Sequence, residues 1–209
     1  MSSRAPDLLA ISSGRLGTAE RVAEWCAAVG AAGVRAVQLR EKEAADRELE
    51  LWGRIALREL PEETVLLING RPDLALAVGA GGVHLPARGL PIGAVRRLLG
   101  PAAWIGRSTH RLEEVERAFE EGADYVTFGP VFATPSKARY GPPVGLEALA
   151  SAADVGGPVV ALGGITMENA ERCVAAGARG IAGISLFHPS ADLKRRVREL
   201  RGLLRDDPA

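Results

Sequence analysis

Lysine is nearly missing from this chain: of 26 basic residues only Lys42, Lys137 and Lys194 are lysines, and two of those three fall in short polar strings that follow apolar runs. Cysteine is as scarce. Cys26 and Cys173 sit in amphipathic helical patterns without metal-ligand spacing, so they read as buried free thiols, which suits a reducing cytoplasm. Net charge is absent too, since 26 acidic residues offset the 26 basic ones, and this removes any general electrostatic ground for expecting nucleic acid or an anionic membrane. No run approaches the roughly 20 apolar residues needed to span a bilayer. Met1 to Pro6 lack the apolar centre of a signal peptide. No low-complexity stretch divides the 209 residues. The expectation is one soluble, cytoplasmic domain over 1–209 that acts on small molecules, with a homodimer compatible with it.

What is present is alternation. Strand-like runs at Leu8–Ile11, Ala36–Leu39, Val65–Ile68, Gly82–Leu85, Trp104–Gly106, Tyr125–Phe128, Val159–Leu162 and Gly180–Ile184 are separated by helical periodicities near 18–31, 44–59, 72–78, 91–99, 111–121, 145–153 and 167–176, and another follows at 190–204. A weak repeat runs through them: Gly30-Ala-Ala-Gly-Val, Gly79-Ala-Gly-Gly-Val, Gly122-Ala-Asp-Tyr-Val and Gly177-Ala-Arg-Gly-Ile. In each, the first glycine is expected to end a helix in the left-handed conformation before the next strand, at intervals of roughly 50 residues. Strand-helix alternation implies parallel pairing, and eight units favour a single-domain α/β fold of the closed (β/α)8, or TIM-barrel, type. An open doubly wound sheet is the alternative, but no Gly-x-Gly-x-x-Gly follows the first strand.

In such a barrel, residues just past the strand ends face one cavity. The second loop carries Arg40, Glu41 and Lys42 behind Gln38, the third Asn69, the fourth His84, the fifth Ser108 and His110, and the sixth Thr134, Ser136 and Lys137. After the seventh and eighth strands come Gly163-Gly164-Ile165-Thr166 and Gly183-Ile184-Ser185. Glycines there let amides of Gly163, Gly164, Ile184 and Ser185 approach an anion, which predicts a phosphate seat. Arg40, Lys42 and Lys137, with the hydroxyls of Thr134 and Ser136, are sufficient for a second anionic group such as a diphosphate. His84 reads as a hydrogen-bonded barrel residue; His110 reads either as a helix cap or as an acid/base group. No cluster has metal spacing, so no metal site is assigned.

With those strings in view, the chain resembles the thiamine phosphate synthase and TenI thiazole tautomerase superfamily from about Leu8 to Phe187, through Gln38-x-Arg40-x-Lys42, Ile105-Gly-x-Ser108, Gly129-Pro-Val-Phe-x-Thr134-x-Ser136-Lys137 and Gly163-Gly164-Ile165. In the synthase branch the resemblance implies a magnesium-dependent barrel that joins hydroxymethylpyrimidine diphosphate to thiazole phosphate, with Gln38, Arg40, Lys42, Asn69, Thr134, Ser136 and Lys137 on the diphosphate side. The positions of the two magnesium aspartates, however, hold Gly70 and Gly89. Asn69-Gly-Arg and His84-Leu-Pro look instead like the tautomerase branch, which isomerises a carboxythiazole phosphate without metal. The histidine of that branch falls at Pro130, so His110, Glu41 and Lys42 become the candidate catalytic groups.

From sequence the favoured expectation is therefore a metal-independent thiazole phosphate tautomerase with no cofactor. A divergent synthase, which would require Mg2+, is the alternative, and a non-catalytic regulatory binder of thiamin intermediates is the second.

Overall fold

Each apolar run pairs in parallel with the next, and the last returns to the first, closing the sheet. The computed structural model describes residues 4–134 and 142–205. Its strands are β1 (Leu8–Ile11), β2 (Ala36–Leu39), β3 (Val65–Asn69), β4 (Gly82–Leu85), β5 (Trp104–Thr109), β6 (Tyr125–Phe128), β7 (Val159–Leu162) and β8 (Gly180–Gly183). Their order in the closed barrel is their order in the chain. Leu9 of β1 stands opposite Ala36 of β2 on one side and Ala182 of β8 on the other. Around the sheet lie α1 (Ala19–Ala31), α2 (Asp46–Glu59), α3 (Pro72–Val78), α4 (Ile92–Leu99), α5 (Leu112–Glu120), α6 (Gly145–Ala153), α7 (Ala170–Ala175) and α8 (Leu193–Arg205).

Strand alternation splits the apolar residues into two cores. Leu9, Ile11, Ala36, Leu67, Tyr125, Val160 and Ala182 fill the barrel interior. Their strand neighbours, among them Leu8, Val37, Leu66, Val83, Ile105, Val126 and Ile181, pack outward against the helices. Each such large side chain contributes about 1.5–3 kcal/mol through burial. Local chemistry sets the helix starts: the Thr18 hydroxyl accepts from Arg21 N at 3.3 Å, and Glu48 reaches back to Ala45 N at 2.8 Å.

Three boundaries differ from the sequence reading by three residues. β5 continues to Thr109, because the polar tail Arg107-Ser-Thr109 stays in register with β6 and Thr109 Oγ1 donates to Thr127 O at 3.1 Å. α7 begins at Ala170, not 167: Asn169 Oδ1 accepts from Thr166 N at 2.8 Å and its Nδ2 donates to Gly164 O at 3.0 Å, which holds a turn first. α8 likewise starts after a Ser190–Asp192 turn.

The repeat also needs one correction. Gly79, Gly122 and Gly177 are left-handed as expected, but Gly30 lies inside α1 and packs on Pro61. The left-handed residue after α1 is Gly33, with φ +93°. Gly33, Gly79, Gly122 and Gly177 thus each stand three residues before a strand start, at Ala36, Gly82, Tyr125 and Gly180.

Candidate active site

At the C-terminal mouth, inward-facing strand positions turn from apolar to polar. Gln38, buried on β2, donates from Nε2 to Asn69 Oδ1 on β3 at 3.0 Å. That bond fixes the Asn69 amide with its Nδ2 group unclaimed by any described residue. Next around the barrel, His84 Nδ1 is 3.0 Å from the Tyr125 hydroxyl, and its Nε2 is 2.9 Å from Ser108 Oγ and 3.3 Å from Thr127 Oγ1. Burial, with the charges of Arg107 and Arg40 adding to it, pushes the His84 pKa down to about 3, so the imidazole is neutral at any physiological pH. Burial also raises the Tyr125 phenol well above its ordinary range. The His84 reading as a hydrogen-bonded barrel residue agrees with this geometry.

Glu41 lies where loops one and two meet. Its two carboxylate oxygens accept from Gly14 N at 3.0 Å and Leu16 N at 2.9 Å, and the side chain is buried. A carboxylate committed to two amides fastens loop one; this geometry gives it no proton-transfer task, which corrects its place among the candidate bases. Ser12 Oγ accepts from Arg40 N at 2.8 Å, and the half-buried Arg40 guanidinium lies beside Gly14. Lys42 is exposed on the rim.

Across the mouth, Gly163 and Gly164 follow β7 with φ of +99° and +68°. A Cβ at Gly164 would stand 2.6 Å from Phe132 O, so this double left-handed turn is closed to other residues. Among the described residues, the amides of Gly163, Gly164, Ile184 and Ser185 make no backbone or side-chain hydrogen bond. Four unspent donors at adjacent strand ends are what a phosphate requires.

Thr134 is half-buried at the edge of the described chain; Ser136 and Lys137 lie outside the described residues. His110 is exposed. Its backbone N–H donates to Glu114 Oε2 at 2.7 Å, and its ring Nδ1 donates to Gly129 O. A carbonyl only accepts, so Nδ1 carries a hydrogen, and in the neutral ring the lone pair is on Nε2.

The fit of the residues to magnesium is poor. Gly70 and Gly89 bring no oxygen ligand, and among the described residues no group of three His, Cys, Asp or Glu side chains converges. Near Gly70, the Arg71 guanidinium pairs with Asp73 at 2.6 Å and also with Asp46, holding both carboxyls below the usual range. Near Gly89, Arg107 donates to Pro86 O at 3.0 Å and Leu90 O at 2.6 Å. The described residues around loops three and four therefore do not form a magnesium site.

Sequence reasoning missed Ser12, Arg107, Tyr125 and Thr127. Tyr125 and Thr127 carried a usable signal, because β6 alternation places them on the face that β4 and β5 give to His84 and Ser108. Arg107 and Ser12 act through backbone contacts between loops, which no periodicity reports.

A family model described as thiamine monophosphate synthase matches residues 8–187. A putative thiamine-phosphate synthase of Geobacter sulfurreducens is 45% identical over 201 residues, covering 95% of this chain and 87% of that one. A thiamine-phosphate synthase of Moorella thermoacetica is 41% identical, covering 93% and 94%. Among solved structures, a thiamine phosphate pyrophosphorylase from Pyrococcus furiosus superposes with a TM-score of 0.79 at 34% identity, over 98% of this chain and 97% of that one.

Proposed function

The chain belongs to the thiamine monophosphate synthase family, and on that premise we propose that it is a thiamine-phosphate synthase that joins hydroxymethylpyrimidine diphosphate to thiazole phosphate. Sequence reading alone favours the tautomerase. The full-length relatives named as synthases support the transferase instead.

One structural observation carries the proposal: among the described residues, a set of uncommitted amides after β7 and β8 and the cations Arg40 and Lys42 after β2 lie at the same C-terminal end of the closed barrel, above the polar side chains Gln38, Asn69, His84 and Ser108. A tautomerase needs one phosphate seat and a place for a single carboxylate, with room for one ring. A synthase needs a phosphate seat and a diphosphate seat, with room for two heterocycles between them. In the reaction the pyrimidine methylene carbon loses its bond to a diphosphate oxygen and gains one to the thiazole ring nitrogen. Diphosphate leaves with the electron pair. Arg40 and Lys42, after β2, supply fixed cations for that growing negative charge, and Lys137, outside the described residues, is a third cation by sequence alone. The amides of Gly163, Gly164, Ile184 and Ser185 hold the thiazole phosphate. Gln38, Asn69 and Ser108 orient the rings from below. No resident metal ion is assigned, because Gly70 and Gly89 provide no carboxylate.

The same two glycines favour one second reading, the isomerisation of a carboxythiazole phosphate with His110 Nε2 as the base. Purified protein offered each substrate set, with and without magnesium, and analysed by chromatography separates them. Thiamin phosphate supports the synthase, the aromatic thiazole alone supports the tautomerase, and neither product with tight ligand binding leaves a regulatory binder.

A further inference from the structure

We propose that Tyr125 and His84 form a buried relay that fixes the direction of the Ser108 hydroxyl, so that Ser108 offers its hydrogen to an acceptor atom of the bound substrate. The proposal rests on the synthase reading only for the identity of that substrate, a nitrogen heterocycle.

The hydrogen count in the barrel floor, weighed with the depth of the two buried hydroxyls Tyr125 and Thr127, gives the direction. The Tyr125 phenol is fully buried, and among the described residues its one hydrogen-bond partner is His84 Nδ1 at 3.0 Å. A neutral imidazole has one N–H and one lone pair. If Nδ1 carried the hydrogen, the phenol would accept it, and its own O–H would point into the apolar interior among Leu67, Val160 and Ala182 without a partner. Native interiors avoid a buried donor of that kind. The phenol therefore donates to Nδ1. The ring hydrogen then lies on Nε2, which donates to Ser108 Oγ at 2.9 Å. Thr127 Oγ1, a longer second acceptor at 3.3 Å, gives up Nε2 as the acceptor of its own hydrogen, but it stands nearer the mouth on β6 than Tyr125, whose phenol is enclosed by the apolar interior. Ser108 accepts along that line and cannot donate back along it. It has no other partner among the described residues, so its hydrogen turns toward the cavity.

The contact is a built one. Gly106 lies between the two rings: a Cβ there would stand 2.3 Å from Tyr125 Cζ and 2.5 Å from His84 Nδ1. Only glycine at this strand position lets the phenol and the imidazole meet.

Tyr125 and His84 are thus positioning residues, and Ser108 is the group that touches the ligand. The relay selects ligands that present an acceptor, such as an unprotonated ring nitrogen, opposite β5. A ring presenting a donor there meets a second hydrogen and is rejected.

Nitrogen-15 NMR of the wild-type protein labelled at histidine reads the tautomer directly and requires no substrate. His84 with its hydrogen on Nε2 is the expected result; a hydrogen on Nδ1 overturns the relay whatever reaction the enzyme performs. The second arm is a cycle of Tyr125→Phe and Ser108→Ala, read as the binding constant for thiamin phosphate. Tyr125→Phe alone is expected to weaken binding about fivefold, the worth of one ordinary hydrogen bond. In the Ser108→Ala background the same change is expected to cost nothing further. Equal losses in both backgrounds would show that Tyr125 only supports the fold and would defeat the relay. Absence of synthase turnover in the wild type, with the Nε2 tautomer present, would count against the proposed function and leave the relay standing.

Discussion

Arg107 and Gly89 face each other across loop four: a side-chain carbon at position 89 would begin 3.3 Å from the Arg107 guanidinium. A carboxylate introduced there meets a fixed positive charge before it can meet a metal ion. Magnesium at millimolar concentration, without a diphosphate ligand, is accordingly expected to leave the melting temperature unchanged in the wild type and in Gly89→Asp alike. A magnesium-dependent rise in the wild type would restore a resident metal through carboxylates such as Asp73.

Glu41→Gln tests whether that carboxylate fastens loop one or moves protons. The amide keeps one acceptor oxygen but loses the charge that strengthens both bonds to Gly14 and Leu16. A loss of roughly 1–3 kcal/mol in urea unfolding is expected. Unchanged stability with abolished turnover would return Glu41 to the catalytic list.

The sequence makes the barrel readable because its strand count and order depend on hydrophobic patterning alone, as the runs from Leu8 to Gly183 show. It left the working details obscure where a backbone atom is the partner. Glu41 looks like a base until its two amides are seen, and Gly30 looks like a cap until helix α1 is found to run through it. Gly106 stood out only as part of the Ile105-Gly-x-Ser108 string, and its reason for being glycine, the meeting of two side chains from other strands, was not legible.

Acid should destabilise the protein through His84. Its folded-state pKa of about 3 lies below the ordinary 6.5, so the unfolded chain takes up a proton that the folded chain refuses. The stabilisation is complete above pH 6.5 and is lost as pH falls toward 3, at on the order of 1 kcal/mol per pH unit from this group. Unfolding curves for wild type and His84→Gln over that window should converge as the pH drops. Parallel curves would mean that His84 titrates normally.

The anion seats can be probed without touching the constrained glycines. Ser185→Asp sets a carboxylate beside the unspent amides, and exposed Lys42→Ala removes a rim cation. Each is expected to shift the melting temperature by no more than about 2 °C, as for a surface substitution worth half a kcal/mol or less. Ser185→Asp should weaken thiazole phosphate about tenfold, and Lys42→Ala should weaken pyrimidine diphosphate, in calorimetric titrations. Wild-type affinities in both would move the phosphate groups elsewhere on the rim.

A single-turnover reaction tests the central claim most directly: enzyme in excess over hydroxymethylpyrimidine diphosphate, thiazole phosphate supplied, samples quenched over time and separated by chromatography. The synthase account predicts thiamin phosphate and free diphosphate appearing together in equal amounts. Pyrimidine diphosphate left intact, while a carboxythiazole phosphate offered to the same preparation becomes aromatic, would contradict it.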